Sequence, residues 1–179
     1  MKPKKTQPET PEKVQERDFF QTPNYATDLL VPFLPRYSIW EQACGNGKIV
    51  YRLRHHGFDV RGTDLGSINF LTGILPSPFD IMVTNPPYSI KRKFYSRCRE
   101  IGKPFALLIP MDFCGWILSA MRDGARWIAP TRRIDFITPT GRSGKESAAQ
   151  YHSGWLTFGI DLPQQITIVE LTKKMKENI

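Results

Sequence analysis

Asn85-Pro86-Pro87-Tyr88 is the stretch of this sequence best equipped for chemistry. It follows Asp80 to Thr84, which reads as a buried, β-branched strand. Two prolines in a row fix the backbone and remove two N–H donors. The carbonyls of Thr84, Asn85 and Pro86 are then held in place, some free of sheet bonds. Asn85 adds a side-chain oxygen acceptor, and Tyr88 a flat aromatic face. An amino group on a planar ring needs those parts: acceptors for its hydrogens and a surface on which its ring can stack. The competing reading is a strand-ending loop whose tyrosine packs in the core.

Glu41-Gln42-Ala43-Cys44-Gly45-Asn46-Gly47 is a second candidate, where small residues leave a strand and enter a helix. Glycines there allow a sharp turn and close approach of a ligand to the backbone. Two glycines without a following Lys-Ser/Thr exclude a P-loop and the full dinucleotide fingerprint. The segment is open between an ordinary strand–helix turn and a cofactor cradle. About twenty residues on, Asp64 ends the next strand. A carboxylate there could accept two hydrogen bonds from ribose hydroxyls, or serve as a helix cap or loop charge. Phe19-Phe20-Gln21-Thr22-Pro23 precedes a short helix expected over Ala26 to Leu30. It reads as a hydrophobic staple and cap, or as a lid on a ligand.

These segments need elements to hold them. Ser38 to Ala43 reads as a buried strand, and Lys48 to His56 as a helix with Ile49, Val50 and Leu53 on one face, stopped by Gly57. Asp59 to Thr63 reads as a short strand. Lys91 to Ile101 is helical, Phe105 to Ile109 a strand, and Asp112 to Arg122 a helix capped by Asp112. Arg133 to Ile137 and Trp155 to Ile160 are expected to pair as a hairpin across a polar loop, and Ile166 to Leu171 to form a last strand. Strands alternating with helices predict an α/β sandwich with a mainly parallel sheet and an antiparallel edge. Ligands in such sheets bind at the carboxyl ends of strands, where the strand order switches. Gly45-Asn46-Gly47, Asp64 and Asn85 to Tyr88 all fall at strand ends.

The chain of 179 residues, 40% apolar and 23% charged, is the size of one domain and globular in composition. Residues 1–17 are polar, carry three prolines and are expected to be a flexible tail, leaving 18–179 as the folded domain. No long apolar run or h-region occurs, so neither a membrane span nor a secretory signal is expected. Three scattered cysteines suit a reducing cytoplasm. His55, His56 and His152 make no ligand pattern, so no metal is expected. The net charge is +8, and residues 89–145, with twelve basic and four acidic groups, carry an excess of that same size. One-sided charge of this kind suggests a polyanion such as nucleic acid. Lys91, Arg92 and Lys93 follow the tetrapeptide directly. Arg132, Arg133, Arg142 and Lys145 flank the hairpin loop, and such residues could hold phosphates or form a solvated face.

Together these residues resemble the amino-methyltransferases that use S-adenosylmethionine, in particular N6-adenine DNA methyltransferases of the small, phage-type kind. The resemblance covers about residues 18–160. It implies a class I, Rossmann-like methyltransferase sandwich with a seven-stranded type of sheet. It identifies Glu41, Ala43, Cys44, Gly45 and Gly47 with the first cofactor motif, and Asp64, followed by Leu65, with the acidic residue that holds the ribose. Asn69-Phe70 stands where the family has Asp-Phe, the pair bracketing the cofactor's adenine. Phe20, Thr22 and Pro23 resemble the Phe-x-Thr-Pro segment at the methionine end. Asn85, Pro86, Pro87 and Tyr88 match the catalytic tetrapeptide, and Asn85 would also touch the cofactor. The motif order is that of the gamma group. Twenty residues between Asp64 and Asn85 imply that a strand–helix unit is shortened or missing. No separate target-recognition domain follows, which implies a DNA enzyme of low sequence selectivity. The same tetrapeptide serves enzymes acting on RNA guanine or protein glutamine. A binding module that retains the fold without catalysis is the alternative from another class.

Overall fold

The computed structural model describes residues 20–138, 141 and 151–177. The expected tail at 1–17, and Arg142 and Lys145, lie outside the described residues.

Ile39–Glu41 (β1), Ile81–Thr84 (β3) and Phe105–Pro110 (β4) are buried at every position, as strands covered on both faces must be. With Val60–Gly62 (β2), Arg126–Pro130 (β5), Ser153–Phe158 (β6) and Ile166–Val169 (β7) they build one seven-stranded sheet, ordered β2-β1-β3-β4-β6-β5-β7. Every neighbouring pair is parallel except those made by β6, which runs against both β4 and β5.

Alternation along the strands sorts the core into two layers. Ile39, Ile81, Val83, Ala106, Leu108 and Trp155 pack with Asn24–Asp28 (α1) and Lys48–His55 (α2). Helix α2 forms because Ile49, Val50 and Leu53 share one apolar face, and it ends before Gly57, whose φ of 80° only glycine adopts easily. The Trp155 indole donates to the Ala26 carbonyl at 2.8 Å and fastens α1 to the sheet. On the other face Trp40, Met82, Phe105, Leu107 and Trp127 pack with Lys91–Ile101 (α3) and Gly115–Arg122 (α4). Between β2 and β3 the chain makes only turns, so the expected shortening of the middle is real. Aromatic rings fill part of this layer there: Trp40 meets Phe70 at 5.6 Å and Phe79 at 5.0 Å.

Four expectations about the elements are corrected. Residues Arg133 to Ile137 are not the hairpin partner; that strand is β5, whose short run ending in Pro130 gave no strand signal. Ile134 and Phe136 alternate because both are buried, not because they pair, and only Ile137 makes a bridge, to Gln21. The reversed strand β6 lies inside the sheet, and the parallel β7 is the edge. Helix α4 begins at Gly115, and Asp112 is not its cap, because the Asp112 carboxylate is held by Lys91. Pro23, not a side chain, starts α1: the helix has no side-chain cap.

Candidate active site

The chain leaves β1 for β2 on one side, then returns as β3 on the other side of β1. The carboxyl ends of β1 and β3 therefore flank the switch in strand order, where open α/β sheets bind ligands. Glu41 to Gly47 leaves the first of these ends, Asn85 to Tyr88 the second, and Asp64 follows β2 beside them.

The glycine turn is built around Asp64. The Gly45 N–H donates to Asp64 Oδ2 at 2.6 Å, and the Leu65 N–H donates to Oδ1 at 2.6 Å. Each carboxylate oxygen keeps a lone pair beyond that bond. Gly45 and Gly47 hold φ values of 47° and 75°, which fit glycine. At Gly62 a Cβ would stand 2.7 Å from Val50 Cγ2 and 3.2 Å from Cys44 Cβ, so β2 and the turn approach as closely as they do only because a side chain is missing. The segment Phe20 to Pro23 lies along the same turn. Gln21 exchanges backbone hydrogen bonds with Ile137 at 2.8 and 2.9 Å, and its amide lies 3.4 Å from where a Gly45 Cβ would be. Thr22 and Pro23 are buried, and Phe20 packs half-buried on the core.

Four residues at the ends of β1 and β3 or directly after them carry buried polar atoms without a hydrogen-bond partner: Glu41 Oε2, both amide atoms of Gln42, Thr84 Oγ1 and Asn85 Oδ1. Ile39 and Trp40 pair with Ile81 and Met82, and continuing that register sets Gln42 opposite Thr84. A buried group left unpaired costs about 1–3 kcal/mol, so such a cluster at one place calls for an external partner. Burial pushes the Glu41 carboxyl well above the usual carboxylate range; the Val50 N–H opposes this and the Asp64 charge adds to it.

Tyr88 presents a partly exposed ring held from two directions. Its hydroxyl lies 3.3 Å from Ser153 Oγ, and Phe136 stands edge-on at 6.0 Å and 87°. Burial of the hydroxyl pushes its pKa above the ordinary range, so it stays protonated. The Cys44 thiol is likewise pushed up by burial and by Glu41 and Asp64, which disfavours a nucleophilic thiolate and fits a wall residue.

Other predicted positions are engaged locally. Asn69 Oδ1 accepts the Leu71 N–H at 3.0 Å, and Phe70 is buried between Trp40 and Phe94. Leu65 is exposed. Lys91 Nζ pairs with Asp112 at 2.7 Å, while Arg92 and Lys93 are exposed. Sequence reasoning gave no role to the Gln42 amide or the Thr84 hydroxyl, and it missed Phe136 and Ser153. A Glu-Gln pair closing an apolar strand was a readable signal for the first; Ser153 and Phe136 reach Tyr88 only through tertiary structure.

No protein-family model matches the sequence, and neither does any curated protein. Solved structures do match. A Pyrococcus horikoshii protein proposed to be an RNA methyltransferase is 13% identical, over 86% of this chain and 93% of that one, with a TM-score of 0.51. A TehB-like, S-adenosylmethionine-dependent methyltransferase from Corynebacterium glutamicum is 15% identical over 76% and 88% (TM-score 0.48). The glycopeptide N-methyltransferase MtfA is 11% identical over 85% and 92% (TM-score 0.47). The first likeness, with the strand order above, defines the fold as the Rossmann-like sandwich of class I methyltransferases.

Proposed function

We propose that the protein is an S-adenosylmethionine-dependent methyltransferase that modifies the exocyclic N6 amine of adenine in nucleic acid, DNA first, with low sequence selectivity and within the one domain 18–179. The observation that carries this reading is the unpartnered Asn85 Oδ1, buried between β3 and a proline pair at the switch in strand order. It is an acceptor already desolvated and fixed, as preorganised electrostatic catalysis requires.

The residues fit the cofactor. Asp64 keeps lone pairs for ribose hydroxyls, and Glu41 has an unpartnered carboxyl oxygen next to the glycine turn. When bound, the cofactor supplies a methyl group on a sulfonium. The protein's part is placement. Asn85 Oδ1 and the Pro86 carbonyl accept the amine hydrogens, turn the nitrogen lone pair out of the ring plane, and stabilise the positive charge that grows on nitrogen. Tyr88 stacks on the base, with Ser153 and Phe136 keeping its ring upright. Because Tyr88 remains protonated it supplies a surface and not a base. A base in a duplex must flip out to reach this end of the sheet, at a cost of about a few kcal/mol.

Incubation with labelled S-adenosylmethionine and unmodified DNA, RNA or protein, followed by nucleoside and amino-acid analysis, tests the reading. N6-methyladenine in DNA is the expected product. Label in RNA or in glutamine would reassign the substrate, and cofactor binding without transfer to any of the three would refute catalysis.

A further inference from the structure

We propose that Arg132, Arg133 and Tyr151 form a track for one nucleic-acid strand: the two guanidiniums hold phosphates, and the Tyr151 ring stacks on a base next to the one entering the Tyr88 site. The proposal rests on the reading that the substrate is nucleic acid, and it adds Tyr151, which the sequence did not single out, to two of the arginines that it did.

The reversed strand β6 puts these groups together. Its first residue, Ser153, pairs with Pro110 at the carboxyl end of β4, and its hydroxyl meets Tyr88. The Met111 N–H donates to the His152 carbonyl at 2.8 Å, and His152 Nε2 donates to the Pro130 carbonyl at 2.7 Å, where β5 ends. Tyr151 precedes this pinned residue and is 52% exposed. It lies two residues from Ser153, about 7 Å along an extended backbone, which one stacked base can span.

Arg132 and Arg133 come two and three residues after Pro130. Both are exposed, and neither guanidinium has a hydrogen-bond, ion-pair or ring partner among the described residues. The chain then returns through Ile134 and Phe136, both buried, to the edge of the Tyr88 ring. The stretches that carry the two unpaired cations and the exposed ring thus lead into Phe136 and Ser153, the two residues that touch Tyr88.

Three of the cations on α3 are already engaged. Lys91 is paired with Asp112, Arg97 with Glu100, and the Arg99 guanidinium lies 3.9 Å over the Phe158 ring. Unpaired cations with a stackable ring beside them suit a chain of phosphates and bases. An acidic peptide would use the cations and leave the ring without a role.

Fluorescence titrations decide the matter. Single-stranded DNA, and RNA of the same sequence, would carry 2-aminopurine beside the target adenine. Wild type, Arg132→Gln with Arg133→Gln, Tyr151→Ala and Tyr151→Phe are compared at several salt concentrations. The double glutamine variant should flatten the log–log salt slope by about 1.4, at about 0.7 per phosphate on a single strand. Tyr151→Ala should keep the slope, weaken binding about 5- to 150-fold and lose the 2-aminopurine quench, with Tyr151→Phe restoring it. S-adenosylmethionine affinity by calorimetry should not change in any variant. Unchanged slope, affinity and quench would overturn the track, as would a wild type that binds the cofactor but neither strand. A wild type that binds strands through these residues and transfers no methyl group would instead overturn the methyl-transfer reading and keep the track. The tighter of the DNA and RNA arms identifies the strand.

Discussion

Replacing Asp64 with alanine separates the clamp on the glycine turn that the structure shows from the ribose contact that the proposed function adds. The carboxylate accepts the Gly45 and Leu65 N–H groups at 2.6 Å each. Hydrogen bonds to charged groups are worth about 1.5–3 kcal/mol, but these N–H groups can be rehydrated, so we expect about 1–2 kcal/mol of lost stability. At about 2–4 °C per kcal/mol for a chain of this size, Tm should fall by about 2–8 °C. Loss of a pair of ribose bonds should weaken cofactor binding by about 2–3 kcal/mol, or about 30- to 150-fold in Kd. Asp64→Asn should fall between, since one amide face repels a donor that the carboxylate accepted. Calorimetric titration with S-adenosylmethionine, beside thermal melts, reads both effects. A lowered Tm with Kd within about threefold of wild type would refute the cofactor role and leave Asp64 as a clamp on the glycine turn.

Asn85→Ala should slow single-turnover methyl transfer by about 10²-fold or more while cofactor affinity holds, because its acceptor acts mainly in the transition state. Glu41→Gln tests the buried carboxyl. Its folded pKa lies above the unfolded value of about 4.3, so its stability contribution is full below that pH and declines as pH rises through the folded pKa. The variant should flatten this decline in Tm-against-pH curves; parallel curves would contradict the burial argument. Asp28 acts in the opposite sense: burial raises it, but hydrogen bonds from Arg52 and His56 outweigh that, and its contribution is lost as pH falls through its folded pKa. Gly62→Ala should lower stability by about 1–3 kcal/mol in urea titrations, from the contact with Val50. Lys91→Ala should change stability by about 0–1 kcal/mol, the ion pair being partly solvated, and leave the salt dependence of DNA binding unchanged.

The Asn85 to Tyr88 tetrapeptide, the glycine turn and Asp64 were legible as candidates because each is a local pattern at the end of a strand. The parallel order of β1, β3 and β4 was legible because strands buried on both faces write continuous apolar stretches. Strand β5 was not, since Arg126 and Pro130 break its run and only pairing with β6 and β7 makes it a strand. Ile134 and Phe136 misled in the reverse direction, because alternation records burial on one side, and a strap over the core can satisfy it as well as a strand. The basic segment was found by counting, but counting cannot see that Lys91 is neutralised by Asp112 from the far side of β4.

The one strand that runs backwards has an evolutionary consequence. Both the exit from β5 at Pro130 and the entry to β6 at Ser153 open on the same rim of the sheet. A loop joining them can grow or shrink without altering any strand register, since length in a tethered loop is thermodynamically inexpensive. Its described ends touch Tyr88, through Phe136 on one side and Ser153 on the other. The connection after β5 is therefore the natural slot for changing substrate preference while the scaffold stays constant, and loop exchange between homologous chains should begin there.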